Sequence, residues 1–373
     1  MIGPSRKAIQ TKQTCLTEKT APRNIKLENQ KKSKTEVMKM LRVGVIGCGG
    51  MGRDHIKRLT DKIQGAEVVA VSDVFEESAK QAAAICGAKV YTDGNQLIND
   101  PDVDAVFIVS PGFAHVESLL EAIKADKRIF CEKPLCTTAE DCLKVVHAEV
   151  AAGKHLIQLG FMRRYDKGYM QVKEALKSGE YGEPLMLHCT HRNPEVGTNY
   201  TTPMAVHDTA IHEIDVLHWL VDDEYESAQV IMPRVTKYSH SELNDPQIML
   251  LRTKKGVCID VEVFVNCKFG YDINCEVVCE DGAIKMPSPI YPSIRKNAAV
   301  ATTIDTDCFV RFQDAYDKEV QDWVDAAAQG VINGPNAWDG YLAAVTADAL
   351  VKAQETGAVE SIQTAVKKPE FYC

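Results

Sequence analysis

The sequence predicts an α/β protein in which a domain with a parallel sheet precedes an α+β domain with a large open, mainly antiparallel sheet. Its 373 residues are too many for one ordinary core and suit two. Short apolar runs alternate with helical stretches over residues 41–160, whereas beyond Gly160 the strands alternate apolar with polar residues. We therefore expect two domains, at residues 39–160 and 161–373.

The first domain is predicted from five apolar runs separated by helical stretches. The predicted strands are Leu41–Ile46, 67–71, 105–109, 128–131 and 156–159, and helices are predicted to begin at Met51, Glu76, Ala114 and Thr138. Because strands and helices alternate, the strands should be parallel, with helices on both faces of the sheet.

The second domain is predicted from a different periodicity. Residues 257–265 and 271–279 carry apolar side chains at every second position, which indicates strands with one buried face. Lys255-Gly256 and Asp281-Gly282 are expected to form hairpin turns. Helices are expected at 311–328 and 338–353, near the end of the chain.

The composition excludes several classes of protein. A sequence that is 45% hydrophobic and 25% charged is typical of soluble globular proteins. It contains no apolar run of the ~18 residues that a membrane span needs, and no secretory signal, so we expect a cytoplasmic protein without a membrane partner. Its thirteen cysteines are scattered and form no Cys-x-x-Cys pair, so we expect reduced thiols and no metal site.

The charge is distributed unevenly along the chain. Residues 1–40 contain ten Lys or Arg and three Glu, which leaves a net charge of −16 on the remainder. The acidic body disfavours a nucleic-acid surface, although the basic arm alone could contact polyanions. Residues 1–38 lack any helical or strand period and are expected to be a disordered basic extension. Met38 and Met40 offer alternative translation starts, and a targeting peptide is a further alternative.

A glycine-rich loop follows the first predicted strand and opens a helix. Gly47, Gly49 and Gly52 form the pattern Gly-x-Gly-x-x-Gly. In such a loop the first glycine permits a tight turn, the second lets the backbone approach a pyrophosphate, and the third permits close helix packing. The pattern predicts a Rossmann dinucleotide-binding domain, with a purely structural turn as the alternative.

Asp73 ends the second predicted strand. There it could accept hydrogen bonds from the adenosine ribose and repel a 2′-phosphate. Because the next residue is Val74 rather than an arginine, NAD is favoured over NADP, although Arg53 and Lys57 leave that choice open. The alternative is an ordinary turn residue at the end of a strand.

Asp208 and His212 stand four residues apart in a predicted helix, so their side chains should share one face. An acid beside an imidazole can move a proton near neutral pH. Residues 204–223 contain no Lys or Arg, unlike an ordinary solvent-facing helix. The alternative is a structural helix in which Asp208 or Asp215 merely holds His212.

Lys133 follows the predicted strand 128–131 and precedes Pro134. This places it at the carboxyl end of a strand, where open parallel sheets bind ligands. Its ammonium group could hold the reacting oxygen of an alcohol while His212 takes the proton and a dinucleotide takes the hydride. The alternative is a surface salt bridge with Glu132.

Together these motifs resemble those of the glucose-fructose oxidoreductase and inositol dehydrogenase family, and within it the bacterial-type myo-inositol 2-dehydrogenases. The resemblance runs from about residue 41 to the end of the chain. Besides the glycine loop it rests on Cys131-Glu132-Lys133-Pro134, Asp208-x-x-x-His212 and residues 160–166, 191–194, 199–202, 212–219, 265–268 and 337–341.

The resemblance implies NAD-dependent oxidation of myo-inositol to 2-keto-myo-inositol (scyllo-inosose) by a homotetramer that assembles through the open sheet. It implies a catalytic group of Lys133, Asp208 and His212. In this group His212 is the acid/base, Asp208 orients it or binds a hydroxyl, and Lys133 assists.

The resemblance also implies two sets of binding residues. The polyol site would contain Arg163, His191, Asn193 and Tyr271, with Met162 nearby. The cofactor site would contain Gly47, Gly49, Gly52, Met51, Asp73, Glu132 and Lys133.

Two segments depart from the family pattern. Residues 1–38 have no counterpart, and residues 110–115 lack the tryptophan expected in the loop near the cofactor. The second departure keeps another inositol isomer or an aldose open as the substrate. An NAD-binding regulator without catalysis is the alternative from another class, and the intact set of Lys133, Asp208 and His212 argues against it.

Overall fold

The computed structural model describes residues 40–287 and 291–373. The predicted basic extension, residues 1–38, lies outside the described residues. Within them the chain forms one large parallel sheet followed by one large mixed sheet, which confirms the predicted fold class.

The first sheet is parallel and has the strand order β3-β2-β1-β4-β5-β6. Its strands are β1 (Leu41–Ile46), β2 (Ala66–Ser72), β3 (Lys89–Tyr91), β4 (Ala105–Ile108), β5 (Arg128–Glu132) and β6 (Ile157–Gly160). The five predicted strands are confirmed. The sequence did not predict β3, because three exposed or half-buried residues at the sheet edge carry no apolar period. The strand order reverses between β1 and β4, the point at which such sheets bind ligands.

Helices connect the strands of the first sheet. They are α1 (Gly50–Asp61), α2 (Glu76–Cys86), α3 (Gly94–Ile98), α4 (His115–Lys124) and α5 (Ala139–Ala152). The four predicted helix starts are confirmed to within one residue. At the start of α5, the hydroxyl of Thr138 accepts a hydrogen bond from the backbone N–H of Asp141, as expected for an N-cap residue.

The second sheet has the strand order β12-β11-β7-β10-β9-β8-β15. Its strands are β7 (Pro184–Arg192), β8 (Tyr225–Ile231), β9 (Gln247–Thr253), β10 (Cys258–Phe264), β11 (Asp272–Cys279), β12 (Ala283–Lys285) and β15 (Glu360–Ser361), and β13 (Ile294–Lys296) pairs separately with β14 (Ala299–Ala301). All neighbours in the large sheet are antiparallel except β7 and β10. The two predicted hairpin turns join β9 to β10 and β11 to β12.

The two faces of the second sheet differ as the periodicity predicts. Ile259, Val261 and Val263 are at most 2% exposed on the inner face. The other face carries half-buried and exposed side chains, including Met186 and Ile231. Among the described residues, these apolar side chains stay exposed on the outer face.

Four helices complete the second half: α6 (Lys167–Ser178), α7 (Ile211–Val221), α8 (Cys308–Ala328) and α9 (Ala337–Thr356). Helix α8 returns to the first sheet, where Trp323 packs edge-on against Phe107 at 4.9 Å between ring centroids. Phe107 in turn stacks on Phe130 at 4.4 Å. Helix α9 packs on both α5 and β8. The two helices therefore hold the two sheets in a common core.

In the part of the chain that the structure describes, every helix is too short or too polar to cross a membrane.

Candidate active site

The glycine loop connects β1 to α1. Gly47 has a φ of 100°, and a Cβ there would lie 2.5 Å from the backbone nitrogen of Ser110, so the turn admits only glycine. A Cβ on Gly52 would lie 1.9 Å from the carbonyl oxygen of Gly47, so α1 packs directly on the loop. By contrast, a Cβ on Gly49 would meet no atom within 4 Å. A tight turn with one open side at a helix N-terminus fits a pyrophosphate.

Asp73 lies immediately after β2 and against the glycine loop. Its Oδ2 accepts a hydrogen bond from the backbone N–H of Cys48 at 2.8 Å, and its Oδ1 accepts one from Phe75 at 2.9 Å. Because each carboxylate oxygen has two lone pairs, the side chain keeps the capacity to accept ribose hydroxyls. This position is consistent with the predicted contact between Asp73 and the cofactor. It is equally consistent with the alternative that Asp73 is an ordinary turn residue at the end of a strand.

Lys133 and Asp208 meet in space although 75 residues separate them. The Nζ of Lys133 donates to Oδ1 and to the backbone carbonyl oxygen of Asp208, both at 3.0 Å. The side chain of Lys133 is 18% exposed and that of Asp208 is 55% exposed, so the ion pair is open to solvent on one side. The alternative, a surface salt bridge between Lys133 and Glu132, is wrong because the Glu132 carboxylate pairs with His55 instead.

Asp208 lies in a π-helical turn, Ala205–Ala210, that runs into α7. A π turn is wider than an α turn, so two residues four apart no longer stack as they do on a regular helix. Among the described contacts Asp208 bonds Lys133, Asp215 bonds Arg164, and neither carboxylate bonds His212. The prediction that an acid and His212 form a pair on one helix face is therefore wrong. The alternative in which Asp208 or Asp215 holds His212 is wrong for the same reason.

His212 is buried, and its Nδ1 has no hydrogen-bond partner within the described residues. Burial, followed by the positive charges of Lys133 and Arg163, lowers the pKa of His212 well below its usual 6.5. The imidazole is therefore neutral at physiological pH. A neutral, unpaired imidazole beside a lysine can act as a proton acceptor.

Glu213, the residue after His212, joins two of the predicted polyol-binding residues. Its Oε1 accepts a hydrogen bond from Arg163, and its Oε2 lies 2.7 Å from the Nδ1 of His191. All three side chains are at most 3% exposed. Burial, followed by the charges of Arg163 and Lys133, lowers the pKa of His191 well below 6.5, so this imidazole is also neutral.

The sequence reasoning missed Glu213. The available signal was a carboxylate next to Ile214 in a segment whose neighbours are apolar, since a buried acid needs a partner. Which partner it has depends on three elements that meet only in the fold: the turn after β6, the strand β7 and the helix α7.

Tyr271 and Asn193 complete the group that was predicted to bind the polyol. The ring of Tyr271 packs edge-on against that of His191 at 5.8 Å between centroids, and its hydroxyl lies near Arg163. Burial raises the pKa of Tyr271 to about 12, so the hydroxyl stays protonated. Asn193 follows the end of β7, two residues after His191, and its side chain lies near that imidazole. The structure thus brings together Arg163, His191, Asn193 and Tyr271.

Two predicted cofactor residues have mainly internal contacts. Glu132 is 6% exposed, and its carboxylate bonds His55 and the backbone N–H of Lys133. Met51 is partly buried and packs against the cores on both sides of the first sheet. Gly47, Gly49, Gly52, Asp73 and Lys133 lie at the carboxyl edge of the sheet, as predicted.

The loop that departs from the family pattern borders the same edge. It contains a short turn, Gly112–Ala114, in which the side chain of Phe113 is 74% exposed. The ring of His115 lies 2.7 Å from the carbonyl oxygen of Ser110 and 2.8 Å from that of Pro134. His115 therefore ties this loop to the segment that carries Lys133.

The back of α7 is separate from this group. Asp215 pairs there with Arg164, which also contacts Asp339, and burial raises the pKa of Asp215 to about 6. Asp215 and His218 line a cavity of about 310 Å³ between α7 and α9. That cavity lies behind the helix rather than beside His212, so its size does not mark it as the reaction site.

Among the described residues, no group of three or more His, Cys, Asp or Glu side chains could hold a metal ion.

An open glycine loop on a Rossmann sheet, beside a lysine and a neutral histidine, defines a dinucleotide-dependent oxidoreductase that acts on an alcohol. Comparison with known families agrees. The chain belongs to the oxidoreductase family with an NAD-binding Rossmann fold, whose model matches residues 41–161, while the model of the family's C-terminal alpha/beta domain matches residues 173–362.

Individual relatives are similar over most of their length. The inositol 2-dehydrogenase of Pseudomonas syringae pv. syringae is 53% identical over 334 residues, which are 89% of this chain and 99% of that protein. The inositol 2-dehydrogenase/D-chiro-inositol 3-dehydrogenase of Halalkalibacterium halodurans is 52% identical over 335 residues, 89% of this chain and 96% of that protein. The crystal structure of myo-inositol dehydrogenase from Lactobacillus casei in complex with NAD(H) and myo-inositol is 45% identical, with a TM-score of 0.87, and covers 90% of this chain and 100% of that one.

Proposed function

We propose that this protein catalyses the NAD-dependent oxidation of myo-inositol to 2-keto-myo-inositol (scyllo-inosose). The observation that carries the proposal is the convergence of Lys133 and His212 with a buried set of polyol-binding side chains at the edge of the NAD-binding sheet. The two dehydrogenases and the ligand-bound structure named above support the choice of substrate.

NAD, when bound, accepts a hydride from the carbon that carries the reacting hydroxyl. The chain must then bind the alcohol, remove its proton and hold the oxygen. The open side of the glycine loop at Gly49 would hold the pyrophosphate, and Asp73 would hold the adenosine ribose.

His212 takes the hydroxyl proton. It can do so because its lowered pKa keeps it neutral and because its Nδ1 is not committed to another partner among the described residues. The ammonium group of Lys133 donates a hydrogen bond to the reacting oxygen as negative charge develops there. Asp208 holds Lys133 in position through the hydrogen bond at 3.0 Å.

The remaining hydroxyls of the polyol bind the buried polar group. Arg163 donates hydrogen bonds, and Asn193 and Tyr271 can donate and accept. The neutral His191 donates its Nδ1 proton to Glu213, so its Nε2 can accept a hydrogen bond from a hydroxyl. Glu213 fixes the orientation of Arg163 and His191. A polyol needs several such groups on one face, and these side chains supply them.

Another inositol isomer or an aldose is the second candidate substrate. It is favoured by the altered loop at residues 110–115 and by the relative that is also named a D-chiro-inositol 3-dehydrogenase. A non-catalytic NAD-binding regulator is the alternative from another class, and the intact Lys133, Asp208 and His212 argue against it.

The test is reduction of NAD by the purified protein with a panel of myo-, scyllo- and D-chiro-inositol and aldoses, followed by absorbance of the reduced cofactor. We expect the highest kcat/KM with myo-inositol. A higher kcat/KM with another polyol would move the assignment to that substrate. Binding of NAD without turnover of any polyol would support the regulator.

We further propose a cytoplasmic homotetramer with domains at residues 39–160 and 161–373. The apolar side chains on the outer face of the second sheet, such as Met186 and Ile231, support a subunit interface there. Size-exclusion chromatography with light scattering would test the assembly, and a monomer at micromolar concentration would contradict it.

A further inference from the structure

We propose that Glu132 is a positioning residue rather than a cofactor ligand, and that together with His55 it ties the backbone of Lys133 to the helix that begins at the glycine loop. This inference rests on the proposed function, because it assigns to Glu132 a part in placing the Lys133 ammonium group. Neither Glu132 nor His55 contacts the reacting atoms in this arrangement.

The Glu132 carboxylate is used on both oxygens. Oε2 accepts the backbone N–H of Lys133 at 3.1 Å, and Oε1 lies 2.8 Å from the Nε2 of His55. The side chains of Glu132 and His55 are 8% and 0% exposed. A buried carboxylate with two such bonds is held in one orientation, and so is the backbone nitrogen that it bonds.

The direction of the hydrogen bond from His55 follows from its other neighbour. Arg58 Nη1 lies 3.3 Å from the Nδ1 of His55, and a guanidinium can only donate. Nδ1 must therefore accept, so Nε2 carries a proton and donates it to Glu132. Arg58 is itself anchored to Asp54 and to Asp317 of α8.

The ring of His55 has little freedom to move. It packs edge-on against Phe107 and Phe130, each at 5.5 Å between centroids. His55 stands one turn after Gly52, in the helix whose N-terminus faces the pyrophosphate position. The chain of contacts thus runs from the cofactor loop through His55 and Glu132 to the backbone of Lys133.

Gly160 supports the same interpretation independently. It pairs with Glu132 across β5 and β6, and a Cβ on Gly160 would lie 3.1 Å from the carboxylate carbon and from Oε1 of Glu132. The bare backbone at this position therefore leaves room for the carboxylate. An alanine there would press on Glu132 without changing its chemistry.

The experiment compares His55→Leu, Glu132→Gln and Gly160→Ala with the control Thr60→Ala, which changes an exposed residue of the same helix. The measurements are kcat, KM for NAD and the isotope effect with myo-inositol deuterated at the reacting carbon. Because a misplacement of ~1 Å can cost about 10²-fold, we expect kcat to fall about 10- to 100-fold in the three variants. KM for NAD should stay within about twofold and the isotope effect should rise, because hydride transfer becomes slower than product release.

These readouts separate positioning from instability, since a partly unfolded enzyme loses active molecules without a change in isotope effect or KM. His55→Gln, which can restore an N–H donor towards Glu132, should recover part of the lost kcat. A kcat equal to that of Thr60→Ala in all three variants would overturn the inference. So would a raised KM for NAD at unchanged kcat, because it would make Glu132 a cofactor ligand. If His55→Leu does not fold, Glu132→Gln and Gly160→Ala decide the question. A wild-type protein that turns over no polyol would instead overturn the proposed function.

Discussion

Replacing Glu213 with glutamine tests the most deeply buried part of the site. Glu213 is the carboxylate that bonds Arg163 among the described residues, and the two side chains are 2% and 1% exposed. Glu213→Gln keeps the size of the side chain but removes its charge, which leaves a buried guanidinium without a counter-charge. Breaking a buried ion pair in this way costs about 3–5 kcal/mol of the free energy of unfolding.

This cost converts to a large shift in melting temperature. For a unit of 150–250 residues, 1 kcal/mol corresponds to about 2–4 °C, so Tm should fall by roughly 6–20 °C. The assay is thermal unfolding of the protein without ligand, followed by circular dichroism. The matched control is Glu226→Gln, which makes the same change at a side chain that is 60% exposed and 3.9 Å from Arg252. The control should change the free energy by less than about 0.5 kcal/mol. A Tm for Glu213→Gln equal to that of the control would refute the assignment of Glu213 as the partner of Arg163.

Three further predictions concern the catalytic group, the buried histidines and the loop. Lys133→Met and His212→Ala should each lower kcat about 10²- to 10⁴-fold while NAD still binds, as measured by fluorescence titration. Because the folded state keeps His191 and His212 neutral whereas the unfolded chain protonates them near pH 6.5, the free energy of unfolding should fall below that pH, by up to about 2.7 kcal/mol per pH unit for the pair. Urea unfolding at several pH values measures this loss, and His212→Asn should remove about half of it. Gly52→Ala should weaken NAD binding, because its Cβ would lie 1.9 Å from the Gly47 carbonyl oxygen and displace the loop.

Each of these predictions has a result that contradicts it. Retention of full kcat in either Lys133→Met or His212→Ala would remove that residue from the mechanism. An identical pH dependence of stability in wild type and His212→Asn would show that His212 is not kept neutral by the fold. For the loop, Thr60→Ala is the control on α1, and an equal Kd for NAD in Gly52→Ala and Thr60→Ala would show that the glycine is not required there.

The sequence by itself determined the order and type of most elements. Alternation over 257–265 predicted the buried face of β10, and the glycines with the preceding apolar run predicted the cofactor loop. These predictions succeed because they depend on local properties: the period of two in a strand, and the conformational freedom of Gly47 in a tight turn. The position of Lys133 at the carboxyl end of β5 was also predicted correctly, because the apolar run before it is a local property of the sequence.

The tertiary structure alone decided which side chains meet. The π-helical turn at Ala205–Ala210 turned Asp208 towards Lys133 instead of His212, and no residue pattern showed that turn. Glu213 gained Arg163 and His191 as partners, and Glu132 turned inward to His55, because strands and helices far apart in sequence pack together. Hydrogen bonds and buried charge pairs of this kind depend on distances of a few tenths of an ångström between distant segments, which local periodicity does not contain.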